Sequence, residues 1–64
     1  MKAFIFNNER VFYNVCYALT YTTCNFKAVW DNEIIVYDDR YANNLATQLD
    51  EFGVNYKVRE VVEA

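Results

Sequence analysis

The stretch D-D-R-Y-A-N-N-L-A-T-Q-L-D-E-F-G, Asp38 to Gly53, constrains the fold more than any other part of this chain. Its apolar residues Ala42, Leu45, Ala46, Leu49 and Phe52 recur at spacings of three and four, which places them on one side of an α-helix. Asp38 or Asp39 can cap the start and complement the positive end of the helix dipole. Gly53, the only glycine among 64 residues, offers the left-handed conformation that ends a helix. Such a stripe is stable only when packed against something, so the remaining residues must supply a matching apolar surface.

The flanking segments read as strands. Lys2 to Phe6 presents Phe4, Ile5 and Phe6, which suit a pleated surface, and polar N-N-E follows. Tyr56 to Val62 alternates, with Tyr56, Val58, Glu60 and Val62 on one face and Lys57, Arg59 and Val61 on the other. Which of those faces is buried the alternation leaves open. Between them, F-K-A-V-W and E-I-I-V-Y flank Asp31-Asn32, two residue types that tolerate a tight two-residue turn. This predicts a hairpin whose first arm carries Phe26, Ala28 and Trp30 on one face.

Val11 to Tyr21 admits two readings. Its valines, tyrosines and threonines favour a strand, with Asn7-Asn8 as a hairpin turn. As a helix, Phe12, Val15, Cys16 and Leu19 cluster on one side, Asn8 caps the start and Glu9 sits in the first turn. The helix is favoured because the strand's second face, Phe12-Asn14-Cys16-Ala18, mixes a polar residue with small ones. The expected architecture is then a single α+β domain over residues 1–64, a ferredoxin-like βαββαβ arrangement. Its four-stranded antiparallel sheet carries both helices on one face, through two right-handed crossovers. The alternative is a five-stranded β-meander with a single helix, Arg40 to Phe52. In layout, E-I-I-V-Y-D-D-R-Y-A-N-N-L-A-T-Q-L-D-E-F-G-V-N-Y-K-V resembles the second half of a ferredoxin-like domain of the heavy-metal-associated type. The C-x-x-C that such domains carry before their first helix is missing, so the resemblance implies no metal-carrier function.

Catalytic chemistry is thinly provided for. The chain has no histidine, which removes the commonest general base and metal ligand. It has no glycine-rich phosphate loop. Cys16 and Cys24 lie eight apart, outside redox or zinc spacing, and read as two free thiols. Asp38-Asp39 reads as helix capping in preference to a magnesium site. The expectation is a protein with no enzymatic activity, no cofactor and no metal. Nine acids oppose six bases for a net charge of -3, and the bases form no run, so direct nucleic-acid binding is not expected. No stretch reaches the roughly 20 apolar residues of a membrane span, and no signal-peptide core is visible, which points to the cytoplasm.

Function is then expected at a surface. On a helix, Tyr13, Tyr17 and Tyr21 form a ridge on the flank and outer side, of the kind enriched at protein interfaces. Asp31, Glu33, Asp38 and Asp39 add negative charge that suits a basic partner surface. A second candidate is the sheet face away from the helices, where Val29, Ile34 or Ile35, and Val61 would sit with Lys27, Lys57 and Arg59. Very small, acidic, Asn- and Tyr-rich chains of this kind resemble inhibitors encoded by phages and mobile elements, anti-CRISPR-type proteins among them. That resemblance implies docking on a larger host nucleic-acid-processing protein. The alternatives are a homodimeric module joined through the open sheet face and a nucleic-acid-binding module that stacks bases on it.

Overall fold

Asn8 settles the ambiguous segment. Its side-chain carbonyl accepts hydrogen bonds from the backbone N–H groups of Arg10 (2.9 Å) and Val11 (3.3 Å), as an N-cap does. In the computed structural model, which describes residues 1–22, 25–30 and 32–62, the chain therefore turns helical at once. The elements are β1 (Lys2–Phe6), α1 (Glu9–Thr20), β2 (Phe26–Val29), β3 (Glu33–Val36), α2 (Asp39–Glu51) and β4 (Tyr56–Glu60). The β-meander alternative fails at α1, where Phe12, Val15 and Leu19 are buried together on one helical face. A strand would have sent Phe12 to the side opposite Val15 and Leu19.

All strand pairs are antiparallel and the order is β2-β3-β1-β4, which is the ferredoxin-like order. The register fixes which side chains share a face. Phe4 and Phe6 of β1, Ile34 and Val36 of β3, and Phe26 of β2 lie on the inner face. Tyr56 and Val58 of β4 join them there. With Phe12, Val15 and Leu19 of α1 and Ala42 and Leu49 of α2, all but the exposed Val58 form one core. Fully burying a side chain of this size is worth about 1.5–3 kcal/mol, so Phe4, Phe6 and Phe12 dominate the stability of so short a chain. Tyr56 adds a tie. Its ring lies 5.8 Å from that of Phe4, and its hydroxyl donates to the Ala46 carbonyl (3.2 Å) and to Asp50 Oδ1 (2.9 Å). Partial burial, and then the Asp50 carboxylate, push the Tyr56 phenol up.

Alternation sends Ala3, Ile5, Lys27, Val29, Glu33, Ile35, Lys57 and Arg59 to the outer face. The open choice between Ile34 and Ile35 is thereby resolved: Ile34 is buried inward and Ile35 lies outward.

α2 is capped by Asp38, whose carboxylate accepts from the Arg40 N–H at 2.8 Å. Gly53 adopts φ 70 beyond its C-terminus, and Val54 N–H then bonds the Leu49 carbonyl at 2.9 Å. Three expectations need correction. Phe52 does not join the buried stripe; it caps the helix and is 81% exposed. β4 ends at Glu60 and does not reach Val62, although Val61 N–H still bonds the Met1 carbonyl.

The third concerns the hairpin. Val29 pairs with Glu33, so the connection spans Trp30, Asp31 and Asn32, and Trp30 leaves the strand at φ 58. The two-residue turn expected at Asp31-Asn32 would pair Ala28 with Ile35, on the outer face. The longer connection pairs Ala28 with Ile34 and Phe26 with Val36, which keeps Phe26 over the core. A slip of one residue would have reversed every side chain of β2, and the core decides against it. Asp31 itself lies outside the described residues.

Phe4→Ala tests the core directly. It removes a side chain with no exposure and should cost about 3–5 kcal/mol, as large-to-small aromatic changes do. That is most of the stability of a domain of this length. Urea melts followed by far-UV circular dichroism should show the variant largely unfolded at 25 °C.

Candidate interaction surfaces

α1 turns its buried edge to the sheet and so divides its remaining surface into two flanks. On the flank away from α2 and over the crest stand Tyr13, Tyr17 and Tyr21, exposed by 53%, 66% and 74%. The ridge is partly built. The Tyr21 hydroxyl lies 3.0 Å from that of Tyr17, and their rings meet edge to face at 5.1 Å. Tyr13 meets the buried Phe12 ring in the same manner at 5.2 Å. The bond to Tyr17 pushes the Tyr21 phenol up. Edge-to-face pairs restrict the rings, so a partner would find two of them already ordered.

The other flank of α1 faces α2 across an apolar groove of about 310 Å³. Val11 and Ala18 line one wall and Leu45 and Phe52 the other, with Leu49 and Val54 also contributing. Among the described residues no charged side chain contributes to the lining. Its rim and the tyrosine ridge meet at the crest of α1, while the exposed back of α2 is polar, with Asn43, Asn44, Thr47 and Gln48.

The acids do not form one row with the tyrosines. Glu33 stands on the outer sheet face, where it accepts from Arg59 at 2.9 Å. Asp38 is engaged as a cap, and Asp39 receives the N-terminal ammonium of Met1 at 2.7 Å, a contact that lowers its carboxyl pKa. β3 and α1 both finish near Lys2, so Asp38 and Asp39 share one end of the sheet with Tyr21. Glu33 is at the opposite end, and Asp31 is outside the described residues. The structure thus brings Tyr17, Tyr21, Asp38 and Asp39 toward one pole and leaves Glu33 out.

Cys16 is a free thiol, half-buried against the core, and burial raises its pKa. A raised pKa lowers the thiolate fraction and with it the reactivity. Cys24 lies outside the described residues. Among the described residues no group of three His, Cys, Asp or Glu side chains could hold a metal ion, and no helix is long and apolar enough to cross a membrane. Sequence reasoning missed Trp30, which is 86% exposed at the hairpin tip with positive φ. A bulky residue in that region costs roughly 1–2 kcal/mol, and a large exposed aromatic there contributes little to the fold. The W-D-N spelling of the turn was the available signal, since Trp directly before Asp-Asn places it at the strand's end.

Comparison of the chain with protein-family models, curated proteins and solved structures returns no match.

Two measurements check this geometry. Trp30→Asn should raise stability by about 0.5–1 kcal/mol in urea melts, because Asn tolerates the left-handed region. Cys16 should react with a disulfide reagent at neutral pH more slowly than a free cysteine, and unfolding in guanidinium should abolish the difference.

Proposed function

We propose that this chain is a small non-catalytic protein-binding module whose contact face is the helical side of the molecule. The observation that carries the reading is the exposure of Tyr13, Tyr17 and Tyr21 on successive turns of α1, with Tyr17 and Tyr21 locked to each other. Contiguous exposed apolar surface is uncommon on monomers beyond a few hundred Å², and here the groove beside α1 and the exposed Phe52 extend the ridge. Large aromatic side chains with a polar tip are the residues that anchor interfaces. Asp38 and Asp39 at the Tyr21 end favour a basic partner surface.

In its narrower form the reading makes the chain an inhibitor, of the kind phages and mobile elements encode against host nucleic-acid-processing proteins, acting in the cytoplasm. What supports it is the net charge of -3 and the absence of histidine and of any phosphate loop. The homodimeric alternative through the outer sheet face has less behind it, because that face carries Lys27 and Lys57 in every copy. A nucleic-acid module has less still, as the strand positions of that face hold no aromatic ring to stack a base.

Immobilised protein exposed to bacterial lysate should retain a partner. The Tyr17→Ala/Tyr21→Ala variant should lose it by at least tenfold, since interface anchors contribute about 2 kcal/mol or more each. Its own stability should fall by no more than about 1 kcal/mol, because both rings are exposed. Equal retention by the variant, or none by the parent chain, would remove the proposal.

A further inference from the structure

The outer sheet face differs in sign from the molecule that carries it. Three of the chain's six basic residues, Lys27, Lys57 and Arg59, project from it, against a single described acid, Glu33. Glu33 is spoken for. Its side chain is 16% exposed and bonded to Arg59, whose chain reaches it across β1 from β4. Ala3, the residue of β1 paired with Arg59, has no exposure although the helices pack on the other side of the sheet. Among the described residues neither Lys27 nor Lys57 has a carboxylate in ion-pair range. An acidic protein has therefore gathered half of its cations on one face.

The spacing of that face is specific. Lys27 lies on the edge strand β2 and Lys57 on the opposite edge strand β4. Three strand intervals separate the two edges, about 14 Å. Between them run the half-buried Ile35 and Ile5, with Ala3. A helix is about 10–12 Å across with its side chains. One helix laid along the central strands, resting on the isoleucines and on the Arg59 side chain that crosses to Glu33, would leave a lysine on each side of it. The inner face shows the same solution, where α1 and α2 cover the other side of these strands. We infer that the outer sheet face is a second docking surface, fitted to an acidic amphipathic helix of another protein, with carboxylates on both flanks of its apolar stripe. A second copy offers the wrong charge, since two such faces oppose Lys27 and Lys57 to one another. A single-stranded nucleic acid would meet Glu33 and no stacking ring.

The test uses an acetylated helical peptide of about 18 residues, five turns, with leucines at the a and d heptad positions and glutamates at e and g. Titrated into isotopically labelled protein, it should shift the amides of Ala3, Ile5, Lys27, Ile35 and Lys57 and spare those of α1 and α2. Affinity should drop about tenfold or more in Lys27→Glu/Lys57→Glu, and similarly between low salt and about 0.3 M salt. Both lysines are exposed on edge strands, and unchanged circular dichroism would show that the variant folds. The same peptide with lysines in place of glutamates should not bind. Shifts confined to the helices, binding indifferent to the charge reversal, or tighter binding of a labelled single-stranded oligonucleotide would each overturn the inference. So would a dimer in sedimentation that dissociates on the same double substitution.

Discussion

Everything in this molecule follows from packing on one side only. Phe4 and Phe6 of β1 and Ile34 and Val36 of β3 point to a single face, and α1 and α2 close over it with Phe12, Val15, Leu19 and Leu49. A chain of 64 residues has no third layer to spare, so the reverse of the sheet and the backs of both helices stay in water. The core is accordingly narrow, and the described residues include no buried polar or charged side chain. Stability rests on a few aromatic contacts, while much of the apolar surface remains outside.

That outside surface is not uniform. The helical side is aromatic along α1, with Asp39 paired to the Met1 ammonium at the α2 N-terminus, and the sheet side carries Lys27, Lys57 and Arg59 over an isoleucine floor.

How much of this was legible depended on whether local or distant contacts decided the matter. α2 was readable because Asp38, the spacing of Ala42, Leu45 and Leu49, and Gly53 all speak for the same helix. α1 was harder, since tyrosines four apart satisfy a helix flank and a strand face equally; Asn8 and the joint burial of Phe12, Val15 and Leu19 break the tie. The strand order followed from the helices once both were in place. Trp30 was misplaced because the hairpin register is set across the sheet, by Phe26 seeking the core, and no residue of the turn records that. The acids were grouped too readily for the same reason. Glu33 is close to Asp38 in sequence, yet β3 carries them to opposite ends of the sheet, and the outward turn of Glu33 appears only with the pairing to Ile5.

The central claim is that the Tyr17 and Tyr21 rings of α1 are exposed to solvent while Phe4, Phe6 and Phe12, and in part Tyr41 and Tyr56, are held in the core. Photochemically induced nuclear polarisation, which enhances the signals of tyrosine and tryptophan rings reachable by a dissolved dye, tests it on the intact chain. The account predicts strong enhancement for Tyr17, Tyr21 and Trp30, with Tyr41 and Tyr56 weak until the protein is unfolded. Silent Tyr17 and Tyr21 rings in the folded protein would contradict it, because the helical side would then have no aromatic face to offer.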